Sequence, residues 1–379
     1  MSDTNSKRTP LYSCHVEHKA RIVDFAGWEM PIQYQGIVAE HKAVREHVGV
    51  FDVSHMGRVE VKGSKALATI QPWITNDAAA LQDGQSLYTP ICYPNGGIVD
   101  DCLVYRLKED HFIIVINASN RQKDYEWFCE HIPAENKADV ELTTPEAGDK
   151  WGLLAVQGPK TRTLLGELTD TDVQSIPRNT VLNATVAGID NCMLACTGYT
   201  GEDGFEIFVP TEKAAELWGA LMDKGEAHSI SPVGLGARDT LRMEMRYPLY
   251  GSDIDKDTTP IEAGLAWTVK LDKGDFIGRE VIEAQVKSKP PRRLVGFKML
   301  ERGIPRHGYK ILSQDGEQEL GVVTSGGFSP SLQEAIGIGY VPAKPHFAKV
   351  GSKLLIEVRK KHIPVQVVRT PFYQPKKES

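Results

Sequence analysis

Nothing in this chain limits its fold more than the stretch Lys287-Ser288-Lys289-Pro290-Pro291-Arg292-Arg293, which is charged, carries two prolines and contains no apolar side chain. Proline cannot continue a helix or occupy a central strand, so the stretch reads as a linker that divides the chain. After it come short apolar segments separated by Gly- and Pro-rich turns: LVGFKML (294–300), GYKIL (308–312), LGVVTSGG (320–327), GIGYVP (337–342), KLLIEV (353–358) and VQVVRT (365–370). Alternating strands of that length at such spacing predict a small all-β sandwich or barrel. Before the break both element types occur. Helices are expected near Ile37–Val48, over Asn120–Ile132 behind an Asn cap, with Tyr125, Phe128, Cys129 and Ile132 on one face, and over Thr211–Lys224 with Gly225 after it. Strands HFIIVIN (111–117), VELTTP (140–145), LLAVQG (153–158), NCMLACTGY (191–199) and FEIFVP (205–210) lie among them. The order lacks steady βαβ alternation, which favours an antiparallel α+β architecture. A length of 379 residues suits two or three domains.

Charge and hydropathy exclude several function classes. The net charge of −6 lacks the basic excess that non-specific nucleic-acid binding requires, so no nucleic-acid partner is expected. The longest apolar runs, such as Phe112–Ile116, fall far short of the ~20 residues of a membrane span, so no membrane partner is expected either. The opening MSDTNSKRTP has neither an apolar core nor an Arg-rich amphipathic pattern, which points to a cytoplasmic protein, or to the mitochondrial matrix only for a processed form. The six cysteines include no C-x-x-C; Cys192 and Cys196 fall on one face of a strand and read as buried thiols in a reducing compartment.

Four stretches place glycine beside ionisable groups at apparent strand ends. Gly96-Gly97-Ile98-Val99-Asp100-Asp101 leads into a strand in which alternation sends the two acids to opposite faces and puts Leu103 and Tyr105 beside Asp101. Asp101 is thus either a solvated turn acid or a carboxylate next to an aromatic ring. In Thr197-Gly198-Tyr199-Thr200-Gly201-Glu202-Asp203-Gly204-Phe205-Glu206, Glu206 lies between Phe205 and Ile207 and faces either solvent or a site. Gly234-Leu235-Gly236-Ala237-Arg238-Asp239 allows close backbone approach and brings Arg238 near a helix start, where a cation opposes the dipole and so hints at another task. Thr324-Ser325-Gly326-Gly327-Phe328-Ser329-Pro330-Ser331 alone reads as a turn. A nucleophile elbow, H-E-x-x-H, a phosphate loop, an EF-hand loop and a dinucleotide fingerprint are all absent, so no metal, flavin or nucleotide cofactor is expected. Ser54 and His55 are adjacent on an apparent strand and point apart, which argues against a Ser–His dyad.

Together these stretches, with Thr9-Pro10-Leu11-Tyr12, the Val23–Pro31 run VDFAGWEMP and Phe51-Asp52-Val53-Ser54-His55-Met56-Gly57, resemble the aminomethyltransferase (T-protein) family of the glycine cleavage system, over nearly the whole chain. The resemblance implies an α+β chain of three domains in a clover-leaf arrangement around a channel for tetrahydrofolate. Residues 1–286 would form two antiparallel α+β domains interleaved in sequence, approximately 1–54 with 142–246 and 55–141 with 247–286. Residues 287–379 would form a C-terminal β-barrel or jelly-roll-like domain. It implies transfer of the methylene of an aminomethyl-lipoyl arm to tetrahydrofolate, the acceptor substrate, yielding ammonia, 5,10-methylenetetrahydrofolate and the reduced arm. The partners implied are lipoylated H-protein and, functionally, P-protein and dihydrolipoyl dehydrogenase. By motif, Asp101 matches the family's key carboxylate, Glu206 its pterin-binding acid and Arg238 its site arginine; Tyr88, Tyr105 and Tyr199 match folate-pocket tyrosines, and Met56, Asn117 and Trp267 match further pocket positions. The family's last folate contact lies in a tail that here reads Pro371-Phe372-Tyr373-Gln374-Pro375-Lys376-Lys377 and does not align, so no ligand is assigned there.

The residue types suit that chemistry. A carboxylate accepts the N–H donors along a reduced pterin edge in charge-assisted bonds. Tyrosines offer stacking surface and hydroxyls. Arg238 could pair with a folate glutamate tail or with a site carboxylate. The alternative within the family is another folate-dependent demethylase or one-carbon transferase. A folate-binding protein of iron–sulfur assembly would carry a Lys-Gly-Cys motif where this chain has Asp257-Thr258-Thr259-Pro260-Ile261-Glu262. A folate subunit of an amine oxidase would need a flavoprotein partner.

Overall fold

The computed structural model describes residues 6–375. Lys376 and Lys377 of the tail lie outside the described residues.

Two antiparallel sheets stand face to face. The larger has the order 181–186, 189–195, 204–210, 151–157, 48–52, 230–232, with only its last pair parallel. The smaller has the order 85–92, 98–108, 111–116, 57–62, 141–142. The chain leaves the larger sheet after Val48–Asp52, builds the smaller one and returns at Trp151–Gln157, so the two are interleaved in sequence. Period-2 alternation makes three apolar layers. Phe51, Tyr105, Ile113, Leu153 and Phe208 fill the space between the sheets. Phe205, Ile207 and Val209 face outward onto Leu217, Trp218 and Leu221 of the Ala214–Gly225 helix. Val104, Phe112 and Ile114 face outward onto Trp127 and Phe128 of the Arg121–Glu130 helix.

The C-terminal strands close into a six-stranded barrel in the order 292–299, 334–342, 319–329, 310–312, 353–358, 361–368, which removes every free sheet edge from this module. The expected linker is shorter than read from sequence. The Arg279–Ser288 helix takes up Lys287 and Ser288, and the Arg292–Met299 strand takes up both arginines, leaving Lys289-Pro290-Pro291. The prolines interrupt pairing only locally, because the barrel's first strand resumes directly after them.

Other expectations shift as well. The helix expected near Ile37–Val48 spans Ile37–Glu46, and Val48 begins a strand. The Arg121–Glu130 helix buries Arg121, Asp124, Trp127 and Phe128; of the expected face, Phe128 is buried and stacks on Trp73 at 4.9 Å, Tyr125 and Ile132 pack at the edge of the same core, and Cys129 is only half-buried. Asn120 does not cap that helix; its amide donates to Asp100 (2.8 Å). Thr211–Lys213 is a 3₁₀ turn, and Gly225 closes the following helix from inside. The Thr324–Ser331 stretch is not a free turn. Thr324 to Ser329 lie in the Glu319–Ser329 strand, whose hydroxyls dock the barrel on the Leu235–Glu244 helix. Thr324 and Ser325 donate to the buried Asp253 (2.6 and 3.0 Å), which Arg242 pairs at 2.6 Å. Ser331 donates to Glu244 (2.8 Å), which Arg45 pairs at 2.9 Å.

Candidate functional site

Alternation decides which acids meet. On the Ile98–Lys108 strand, Asp100 shares parity with Cys102 and Val104, which face the Arg121–Glu130 helix, whereas Asp101 shares parity with Tyr105 and faces the other sheet. On the Gly204–Pro210 strand, Glu206 shares parity with Phe208, so it too faces the space between the sheets. Tyr105 therefore meets Glu206. The Tyr105 hydroxyl donates to Glu206 Oε2 (3.3 Å), and Thr197 donates to the same oxygen (2.5 Å). The tyrosine ring stands edge-on to Phe208 at 5.6 Å.

Asp101 heads a second group. Tyr88, on the neighbouring Gln85–Cys92 strand, donates its hydroxyl to Asp101 Oδ2 (2.9 Å). The Asn117 amide donates to Asp101 Oδ1 (3.0 Å) and to Asp100 Oδ1 (2.8 Å), so it bridges the two acids. Trp267 stacks on Tyr88 at 5.8 Å with its other face in solvent. Burial, reinforced by the charge of Asp100, pushes the Asp101 carboxyl up to about 7. Burial and the Asp101 charge hold the Tyr88 hydroxyl far above the ordinary tyrosine range.

Arg238 belongs to a third group, adjoining the others. The glycines before it work as expected: a Cβ on Gly234 would lie 2.5 Å from the Ile32 carbonyl carbon, so only glycine lets the Trp28–Gln33 strand approach the helix start this closely. Arg238 lies over the Tyr199 ring at 4.7 Å. Burial lowers its guanidinium pKa, with the Tyr199 and Glu206 charges opposing. Among the described residues it has no hydrogen-bonded carboxylate. Tyr199 stacks on Tyr247 at 5.7 Å, donates to the Pro248 carbonyl, and feels the charges of both Asp101 and Arg238. It joins the Asp101 group to the Arg238–Glu206 group.

Met56 sits on the short crossing between the sheets, half-buried against their shared core. Its neighbour His55 is buried edge-on to Phe25 at 5.7 Å. Burial depresses His55 to about 3 against the opposing Asp52 charge, with Arg238 lowering it further, so the ring is neutral at physiological pH. Hydrogen bonds and ring contacts thus tie Asp101, Tyr88, Asn117 and Trp267 into one group, Glu206 and Tyr105 into a second, and Tyr199 and Arg238 into a third, with electrostatic coupling between them. Met56 packs against the same core cluster as Tyr105. Sequence reasoning missed Thr197, Asn120 and Asp124. The available signal was Asn120 and Asp124 at i, i+4 on a helix whose next residues on that face are Trp127 and Phe128.

A groove of about 1400 Å³ lies elsewhere. It is lined by Lys108, His111, Lys150, Asn183 and Asp190; Lys108 ends the strand that carries Asp101, and His111 begins the strand that Asn117 follows. Lys108 lies seven positions beyond Asp101, roughly 23 Å along an extended strand. Among the described residues no cluster of His, Cys, Asp or Glu is arranged to hold a metal ion, and no helix is long and apolar enough to cross a membrane.

Comparison with known proteins bears on the family and the fold. Residues 11–273 match the GCVT N-terminal domain, and residues 292–374 match the glycine cleavage T-protein C-terminal barrel domain. The chain is 46% identical over 370 residues to an aminomethyltransferase of Alkaliphilus oremlandii, covering 98% of each. It is 47% identical over 375 residues to one of Bacillus velezensis, covering 98% of this chain and 100% of that one. The solved glycine cleavage system aminomethyltransferase T from Bartonella henselae superposes with a TM-score of 0.89 at 34% identity, covering 98% of this chain and 99% of that one.

Proposed function

The chain belongs to the glycine cleavage T-protein family and is a folate-dependent aminomethyltransferase, and from the grouping of side chains between its two sheets we propose how it works and with whom. The acceptor is tetrahydrofolate, and the donor is the aminomethyl group on the lipoyl arm of H-protein, loaded by P-protein and reoxidised by dihydrolipoyl dehydrogenase. The setting is a bacterial-type cytoplasm. Residues 1–54 with 142–246, 55–141 with 247–286, and 287–379 are read as the three domains.

Glu206 receives the N–H edge of the reduced pterin. Its Oε2 is held by Thr197 and Tyr105, and its Oε1 accepts no bond among the described residues. Tyr199 and Trp267 flank the folate as stacking surfaces. Arg238, without a hydrogen-bonded carboxylate, takes the folate carboxylates. Asp101 faces the nitrogens that attack. Transfer breaks the C–N and C–S bonds of the thioaminal and forms two C–N bonds to folate; the protons lost by the two folate nitrogens leave with ammonia and with the thiol. Positive charge develops on the attacking nitrogen, and a carboxylate fixed by Tyr88 and Asn117 stabilises it without reorganising. Positioning of two bound reactants supplies about 7–11 kcal/mol, more than one proton transfer gives, so Asp101 acts chiefly as charge and anchor.

The observation that carries this reading is the Tyr88–Asp101–Asn117 arrangement on the strand face that also bears Tyr105, whose hydroxyl reaches Glu206 on the other sheet. The test is a reconstituted assay. Aminomethylated H-protein should release ammonia rapidly only when tetrahydrofolate is added. Methyl-folate formation from a methylated sulfur or amine, with no folate-dependent ammonia, would instead identify a demethylase.

A further inference from the structure

Behind Asp101, on the opposite face of its strand, lies a group of buried polar side chains for which the transfer itself has no direct use. Asp100 is fully buried. Its Oδ1 accepts the Asn117 and Asn120 amides, both at 2.8 Å, and its Oδ2 accepts the Asn117 backbone N–H at 3.0 Å. No cation touches it among the described residues. Asp124, equally buried on the Arg121–Glu130 helix, stands within hydrogen-bonding reach of Asp100. Asp124 Oδ1 accepts from Lys123 (2.7 Å), and its Oδ2 has no N–H or O–H donor among the described residues. Two facing buried carboxyls cannot both be ionised. Asp100 already accepts three N–H bonds, so it is the acceptor and Asp124 holds the proton.

We propose that Asp124 is a positioning residue for Asp101: its shared proton completes the donor set around Asp100, and Asp100 in turn fixes the Asn117 amide that grips the Asp101 carboxyl. The proposal rests on the reading of Asp101 as the carboxylate that faces folate. The same charge on Asp100 repels the Asp101 charge, so the pair also sets the pH at which Asp101 ionises. The other groups facing this set are Tyr88, Tyr199, Cys102 and Tyr250, all held protonated by burial, and Lys123, which lies over the Tyr250 ring at 5.0 Å. None of the four offers a second negative charge near neutral pH. Glu206 and Arg238 lie farther along the site, beside Tyr105 and Tyr199, and Asp100 is the adjacent charge that raises the Asp101 carboxyl.

The test compares Asp100→Asn, Asp124→Ala, Asp124→Asn and Asp101→Asn in the full chain, measuring kcat/KM for tetrahydrofolate from pH 5.5 to 9 at saturating aminomethylated H-protein. This ratio reports groups of the free enzyme. Asp100→Asn keeps the shape and both acceptor bonds of one oxygen but removes the charge, so the acidic limb should move to lower pH by about one unit. Asp124→Ala should lower the plateau by roughly tenfold through misplacement of Asn117. Asp124→Asn, which restores a donor to Asp100, should recover most of that loss with the limb at its wild-type position. If Asp124→Ala does not fold, the limb of Asp100→Asn decides. A wild-type limb in Asp100→Asn, or a wild-type plateau in a folded Asp124→Ala, alongside an inactive Asp101→Asn, overturns the proposal alone. Undiminished turnover by Asp101→Asn rejects the site reading beneath it.

Discussion

Glu206 binds its protein partners through one oxygen and leaves the other without a donor among the described residues. Glu206→Gln replaces part of that acceptor with an amide N–H₂ that confronts the pterin's own donors. Its Kd for tetrahydrofolate should rise by on the order of tenfold to a hundredfold, as loss of a charge-assisted bond implies, with the far-UV spectrum unchanged. Titration calorimetry measures it; an unchanged Kd would remove Glu206 from the pterin site. Asp101 carries an opposite signature. Its folded pKa of about 7 exceeds the ordinary 3.8, so the folded protein holds a proton that the unfolded chain has released. Wild-type stability contributed by this group therefore falls as pH rises from about 4 to 7 and is level above. Asp101→Asn escapes that loss. Its Tm advantage over wild type should grow across this window and then stay constant, as scanning calorimetry at several pH values would reveal. An advantage that shrinks with pH would show that the Asp101 carboxyl is not destabilised in the folded protein. Residue identity in the motifs was enough to nominate Asp101, Glu206 and Arg238. Thr197 and Asp124 were not legible, because their importance lies in which neighbour the fold turns toward them.

At the scale of elements, strands were more legible than helices. A period of 2 leaves two choices of face, and the parity of Asp101 with Tyr105 held from sequence to structure. A short helix leaves more freedom, and the Arg121–Glu130 helix also buries Trp127 against Trp73 and Asp124 against Asp100. The barrel seam was illegible for a different reason: Thr324 and Asp253 are 71 residues apart, beyond any local pattern. Yet this seam supports the helix that carries Arg238. Asp253 accepts from Arg242, Thr324, Ser325 and the Leu249 N–H while fully buried. Asp253→Ala removes the buried partner of the Arg242 guanidinium and leaves it only the exposed Asp239 at 2.7 Å, which costs about 1.5–3 kcal/mol. Denaturant unfolding should show a midpoint shifted by that amount. A loss below about 1 kcal/mol would mean that solvent or a neighbour replaces Asp253.

For the molecule as a whole, interleaving of the two sheets is what brings Asp101 and Glu206 to face each other, since each lies on a different sheet at a separation of 105 residues in sequence. The C-terminal β module could be read from Gly/Pro spacing alone, whereas interleaving came only from the resemblance, because pairing of 48–52 with 151–157 across a complete second sheet leaves no local trace. The most direct measurement is ammonia release from aminomethylated H-protein by Asp101→Asn at saturating tetrahydrofolate, beside the variant's affinity for tetrahydrofolate. A fall of roughly a hundredfold to a thousandfold, with binding held within about tenfold, is the predicted result. Release at near wild-type rates would contradict it.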